Sequence, residues 1–106
     1  MIWVVTLLNR ESFGRFSIYV FKGLFRSQEE AEAFVREKEI CKEKGNDGAF
    51  IFKADVEVRP ERMTLYVAKR YRPFDDIFLY AGVFEDYDSA LREVGGIRSC
   101  VVPYEV

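Results

Sequence analysis

The stretch Gly23-Leu24-Phe25-Arg26-Ser27-Gln28-Glu29-Glu30-Ala31-Glu32-Ala33-Phe34-Val35 returns in altered form as Gly82-Val83-Phe84-Glu85-Asp86-Tyr87-Asp88-Ser89-Ala90-Leu91-Arg92-Glu93-Val94. In each copy a Gly-x-Phe sequence ends an apolar run, and a Ser or Asp that can cap a helix follows it. An Ala and a Val then fall on one face of that helix. The recurrence predicts a duplicated unit in which a strand turns directly into a helix.

Apolar residues that alternate along the chain predict strands on both sides of each helix. We expect strands over residues 2–8, 16–22, 49–58, 63–70, 77–84 and 97–104. Ser27 and Glu30 form a capping box that starts the first helix, and Gly45-Asn46-Asp47-Gly48 ends it. Asp86 caps the second helix, which is short because Gly95-Gly96 ends it.

Each half therefore reads strand, strand, helix, strand. The first ββαβ unit covers residues 1–59 and the second covers residues 60–106, and 106 residues suit one domain made of both. Duplicated units commonly pack about a pseudo-twofold axis. The sequence predicts an α+β fold in which one sheet is covered by two helices, a two-layer sandwich related to the ferredoxin-like folds. A short barrel formed by the two halves is the alternative.

Composition and charge narrow the class of protein. A hydrophobic share of 49% supplies a core, and no apolar run approaches the roughly 20 residues of a membrane span. The chain opens on a strand-like run and not on a signal peptide, so we expect a cytoplasmic protein without membrane contact. A net charge of −2, with both signs mixed, argues against a general polyanion binder. Cys41 and Cys100 are expected to be reduced and buried.

Residues 2–58 carry a further pattern. Trp3-Val4-Val5 opens it, Gly23-Leu24-Phe25-Arg26-Ser27-Gln28-Glu29-Glu30-Ala31 turns into a helix, and Phe50-Ile51-Phe52 closes it. This order resembles small uncharacterised proteins of phages, archaeal viruses and prokaryotes. The resemblance implies an α+β fold, an origin in a virus or mobile element and a place in the host cytoplasm, but no catalytic residues. The second half departs from it at the cap, where Asp86-Tyr87-Asp88-Ser89 replaces Ser-Gln-Glu-Glu.

Enzymatic chemistry has little support in the residue types present. The chain contains no histidine, which excludes His-dependent triads and His-ligated metal sites. Asp55 and Glu57 share one face of a predicted strand and could hold Mg²⁺ for phosphodiester cleavage, with Lys53 or Lys69 as a helper. Their positions on the solvated face of that strand explain them without chemistry. A metal-dependent phosphodiesterase therefore stays an alternative, and no cofactor is expected.

A second alternative is binding of single-stranded nucleic acid. Lys69-Arg70-Tyr71-Arg72-Pro73-Phe74 interleaves basic and aromatic residues, as a surface does where bases stack on rings and phosphates meet guanidinium groups. Lys69, Arg70, Tyr71 and Arg72 are the candidate contacts. The nearby Asp75-Asp76 favours a solvated hairpin end instead.

The leading hypothesis comes from an excess of apolar strand positions. Six aromatic residues lie on strands whose alternate positions are also apolar: Trp3, Tyr19, Phe21, Tyr66, Phe78 and Tyr80. Two helices cover only one face of a sheet, so we expect a homodimer, or another protein partner, to cover the other face. A tightly curved sheet or a barrel that buries both sets is the alternative. We therefore predict a non-enzymatic protein-binding module, formed as a homodimer, that contacts a host or partner protein.

Overall fold

The protein is described by a computed structural model that covers residues 1–9, 18–37, 46–73 and 77–106. In these ranges the chain forms six strands and two α-helices. They are β1 (Ile2–Asn9), β2 (Ile18–Phe25), α1 (Gln28–Glu37), β3 (Asn46–Ala54), β4 (Thr64–Arg72), β5 (Ile77–Phe84), α2 (Tyr87–Glu93) and β6 (Val101–Glu105), with a 3₁₀ turn at Arg98–Cys100. The predicted α+β class and element order are confirmed. Cys41 and Gly45 lie outside the described residues, and residues 46–48, predicted to end the first helix, open β3 instead.

The strands form two separate antiparallel sheets, with the orders β2-β1-β3 and β5-β4-β6. The prediction of one sheet under two helices is therefore wrong, and the described strands close no barrel. Each half completes its own sheet because its first strand lies in the middle and pairs with a strand on either side. β2 and β5 lie against each other where the two sheets meet.

The two sheets share one pairing scheme. Val5 pairs with Gly23 in the first sheet, and Ala68 pairs with Gly82 in the second. In both ladders a bulge comes at the next step, where the outer strand (β2 or β5) contains one extra residue. Pro103 lies in the edge strand β6, in agreement with its lack of a ladder donor.

The main core lies between the two sheets. It contains Ile2, Val4 and Phe21 from the first sheet, with Leu65 and Val67 from the second. The remaining buried members, Val56 and Met63, come from the segment that joins the halves.

Each helix covers the opposite face of its own sheet. Alternate strand residues point to opposite faces, so the β4 residues beside the core residues pack against α2. Ala68 belongs to a second buried cluster with Ala90 of α2 and Val94, the residue that follows the helix. In the first sheet the ring of Phe25 lies 4.9 Å from that of Phe34 on α1. Each sheet thus carries a helix on one face and shares the core on the other.

Arg26 connects the end of β2 to the joint between the halves. Its guanidinium donates hydrogen bonds to the carbonyl oxygens of Glu61 (2.6 Å) and Val106 (2.8 Å), and to that of Arg59. The planar fork of an arginine can bond several carbonyls at once. One side chain of the first half therefore fixes both the joining segment and the C-terminal residue.

The helix ends follow the predicted capping chemistry. The backbone N–H of Glu30 donates to Ser27 Oγ at 3.2 Å, and that of Ser89 donates to Asp86 Oδ2 at 2.9 Å. After α2, Gly95 and Gly96 have φ of 68° and 82°, which favour glycine. Their N–H groups donate to the carbonyl oxygens of Arg92 and Leu91, the paired bonds of a Schellman motif.

The stabilisation that Asp86 provides as the cap of α2 should depend on pH. The backbone hydrogen bond from Ser89, and then that from its hydroxyl, hold the pKa of Asp86 below its usual value of 3.8. A carboxyl with a lowered folded-state pKa stabilises the fold above the unfolded pKa and loses that effect as pH falls through the folded pKa. We expect Asp86→Ala to lower the melting temperature at pH 7, and the difference from the parent to shrink below about pH 3.8. Asp86→Asn keeps a hydrogen-bond acceptor, so it should lower the melting temperature by less. If the drop in melting temperature caused by Asp86→Ala did not vary with pH, this role of Asp86 would be contradicted.

Candidate interaction surfaces

The six aromatic residues predicted to form one apolar interface occupy different parts of the molecule. Phe21 is only 6% exposed, and it packs with Tyr80 in the core between the sheets. Tyr66 lies on the α2 face, 5.7 Å from the ring of Tyr87. The remaining residues of the set are Trp3, Tyr19 and Phe78. Trp3 is half-buried, and Lys53 Nζ lies 5.5 Å from its ring centre.

The first exposed aromatic surface combines Tyr19 of β2 with Phe50 and Phe52 of β3, and we call these three residues the aromatic patch. The ring of Tyr19 meets both phenylalanines edge-on, with centres 5.8 Å and 5.4 Å apart. The two phenylalanine rings are nearly parallel, 6.4 Å apart. Phe50 is 39% exposed and Phe52 40% exposed. Rings held in edge-to-face contact are pre-ordered, so a partner that covers them loses little side-chain entropy.

Strand pairing places the patch on the sheet face that also carries the core. Phe50 pairs with Thr6 and Phe52 with Val4, while Tyr19 comes two residues before Phe21. Thr6 is fully buried, and its hydroxyl donates to the carbonyl oxygen of Phe50 at 3.3 Å. The patch is therefore an extension of a core face beyond the area that the second sheet covers.

The predicted interface did not include Phe50 and Phe52. Their alternation with Ile51 and Lys53 identified the correct face of the strand. How far the opposite sheet extends over that face depends on the packing of the two halves. No local pattern could have shown that these two rings stay exposed.

The second surface lies at the far end of β4. Tyr71 and Phe78 form a cross-strand pair with ring centres 5.0 Å apart, and they are 44% and 40% exposed. Two adjoining cavities of about 390 and 400 Å³ meet there, and both are lined by Tyr71, Ile97 and Cys100. Cys100 is a free, buried thiol, as predicted, whereas Ile97 is 54% exposed. We call this space the β4 groove; no sequence pattern had indicated Ile97 as part of a site.

The basic and aromatic stretch predicted to bind nucleic acid is divided between two faces of β4. Lys69 and Tyr71 share one face and Arg70 and Arg72 the other, because strand side chains alternate. Lys69 Nζ lies 5.3 Å from the centre of the Phe21 ring, and partial burial lowers the pKa of Lys69. Arg70 forms an ion pair of 2.9 Å with Glu93 on α2. A strand of nucleic acid on one face would meet two of the four residues.

The carboxylates considered for a metal site lie outside the sheet. β3 ends at Ala54 and not at residue 58 as predicted, because Val56 N–H donates to the carbonyl oxygen of Ala54 in a tight turn. Asp55 and Glu57 remain exposed on the segment that follows. Glu57 faces a cavity of about 370 Å³ together with Arg59 and Glu85. Within the described ranges, no three Asp, Glu, Cys or His residues lie close enough to hold a metal ion.

The described part of the chain includes no helix with the length and apolarity needed to cross a membrane. Comparison of the whole chain with protein-family models, with curated proteins and with solved structures gave no match.

Proposed function

We propose that this protein is a non-enzymatic protein-binding module that forms a homodimer through the aromatic patch and the adjoining edge of β3. The observation that carries the proposal is the exposure of Phe50 and Phe52 on an edge strand, in contact with Tyr19. Aromatic residues are enriched in the buried centres of protein interfaces, where a few large rings dominate the binding energy.

The edge position of β3 supports a second copy as the first partner. β3 pairs with β1 on one side, and none of the described strands pairs with its other side. Exposed edge strands in monomers are normally protected by charges, prolines or bulges. The middle of β3 carries Phe50, Ile51 and Phe52, with Lys53 as the first charge after them. An antiparallel pair of β3 strands about a twofold axis would bring both sets of rings together in a closed, self-complementary interface.

We also propose that the two halves are copies of one ββαβ unit within a single domain, residues 1–59 and 60–106. Support comes from the matching strand orders and from bulges at the same step of each ladder. The strand pairing aligns Asp55-Val56 of the first half with Glu105-Val106 of the second. If the protein comes from a virus or mobile element, its further partner would be a host protein.

Sedimentation equilibrium over a range of concentrations tests the dimer. The parent should sediment as a dimer, and Phe50→Ser and Phe52→Ser should shift it to monomer, because each removes a large apolar contact worth about 1.5–3 kcal/mol on burial. Tyr87→Ser is the matched control, since Tyr87 is also an exposed aromatic residue (37%) but lies on α2. Circular dichroism should show that all three variants stay folded. A parent that is monomeric at every concentration, or a dimer unchanged by both phenylalanine variants, would rule out the proposed interface.

A further inference from the structure

The two edge strands β3 and β6 carry a protecting residue at the same place in their ladders. Trp3 pairs with Lys53 in the first sheet, and Tyr66 pairs with Pro103 in the second. The two pairs correspond, because Trp3 and Tyr66 each come two residues before the one that pairs with the glycine of the Gly-x-Phe sequence. Lysine and proline are both residues that protect a strand edge from pairing with another chain.

Pro103 protects β6 permanently. Proline has no N–H group, so within a ladder it fits only where that group would point away from the paired strand. Pro103 therefore offers no donor on the side of β6 with which none of the described strands pairs. Because the two ladders share one register, the N–H of Lys53 points to the corresponding side of β3, where a second strand could accept a hydrogen bond from it.

Lys53 protects β3 only when its side chain lies over that edge. The side chain is exposed, and its Nζ lies 5.5 Å from the centre of the Trp3 ring. Both side chains lie on the α1 face of the sheet, opposite the aromatic patch. Trp3 belongs to the central strand β1, so this cation–π contact draws the ammonium inward from the edge.

We propose that the contact between Lys53 and Trp3 controls whether the edge of β3 is open to a second copy. This control rests on the proposed dimer, because the edge of β3 is part of the same site. With the ammonium on the Trp3 ring, the outward N–H of Lys53 is available to the partner strand. When the side chain leaves the ring, its charge lies along the edge, and strand addition would have to remove that charge from water. Trp3 is thus a positioning residue for dimerisation.

Sedimentation equilibrium of four forms of the full chain measures this control: the parent, Trp3→Leu, Lys53→Met and the double variant. Trp3→Leu should raise the dissociation constant of the dimer about five- to thirtyfold, because two exposed cation–π contacts are lost, one in each copy. Lys53→Met should dimerise at least as tightly as the parent, because no charge remains to cover the edge. Once Lys53 is methionine, adding Trp3→Leu should have no further effect.

Lys53→Pro gives the first sheet the permanent protection of the second. A proline fits this register in β6, so the variant should keep the parent's circular dichroism spectrum and sediment as a monomer. Tyr66→Leu is the matched control for Trp3→Leu, because Tyr66 is the ring beside Pro103, and it should leave the dimer unchanged.

Three results would overturn this control while the parent still forms a dimer. Trp3→Leu could weaken the dimer equally with and without Lys53, which would mean that Trp3 acts through packing alone. Lys53→Met could weaken the dimer, which would mean that the lysine supports the interface. A folded Lys53→Pro variant could dimerise as the parent does, which would mean that this edge is not used. A parent that is monomeric at every concentration would instead remove the proposed dimer itself, and the control with it.

Discussion

Replacing Phe21 by alanine is expected to lower the free energy of unfolding by about 3–5 kcal/mol. The ring is 6% exposed, stacks on Tyr80 with centres 6.2 Å apart, and meets the ring of Tyr104 edge-on at 5.0 Å. Both tyrosines belong to the second sheet, so the truncation opens a cavity at the contact between the two halves. Urea unfolding followed by circular dichroism measures the change.

Two further variants test whether the cavity is the cause. Phe21→Leu keeps most of the apolar volume and should lose less than half as much stability. Tyr19→Ala removes a ring two residues earlier on the same strand, where the side chain is only half-buried. This variant should also lose less stability than Phe21→Ala. A Phe21→Ala loss below about 1 kcal/mol, typical of a surface position, would show that the ring does not join the two sheets.

Replacing Gly82 by alanine should produce the second-largest loss, because two effects add at one residue. Its φ of 154° lies in the positive range that side chains other than glycine rarely adopt, which alone is expected to cost about 1–3 kcal/mol. The new Cβ would also lie 3.0 Å from Phe84 Cε2, because the Phe84 ring folds back over the glycine. Thermal and urea unfolding of Gly82→Ala measure the sum of both effects.

Gly23 is the matched position in the first half and isolates the second effect. A Cβ there would lie 2.9 Å from Phe25 Cε2, but the φ of Gly23 is not in the positive range. Gly23→Ala should therefore be destabilising through crowding alone, by about 1–3 kcal/mol and by less than Gly82→Ala. Double variants separate the crowding by the phenylalanine ring from the strain in the backbone. Adding Phe25→Leu should restore most of the stability that Gly23→Ala loses. Adding Phe84→Leu should restore only part of the stability that Gly82→Ala loses. Equal rescue at both glycines would mean that backbone conformation contributes nothing at Gly82.

These two glycines explain why the Gly-x-Phe sequence was such an informative pattern. In each half the phenylalanine ring covers the glycine two residues earlier, and the strand then passes into a capped helix. The interactions involved join residues close in the chain, so the sequence reveals them directly. The order of strands and helix along each half, the helix caps and the Gly95-Gly96 helix end were predictable for the same reason.

The location of the exposed rings was not predictable in this way. Alternation along β3 shows that Phe50 and Phe52 lie on the same face of the sheet, and alternation along β4 places Lys69 and Arg70 on opposite faces. Alternation does not show how much of a face is covered by other parts of the protein. Phe21 and Tyr80 were assigned to an interface with a partner, whereas the packing of the two sheets places them in the core. Their burial depends on contacts between residues about 60 positions apart.

The sequence by itself determined the elements, their caps and their order, because propensity, alternation and capping act within a few residues. Only the tertiary structure decided that the halves form two sheets instead of one, which aromatic residues stay exposed, and where β6 stops short beside β4. Those features follow from how far one sheet extends over the other and from where the backbone leaves a ladder. Both depend on the fit of distant surfaces, which no stretch of this chain records.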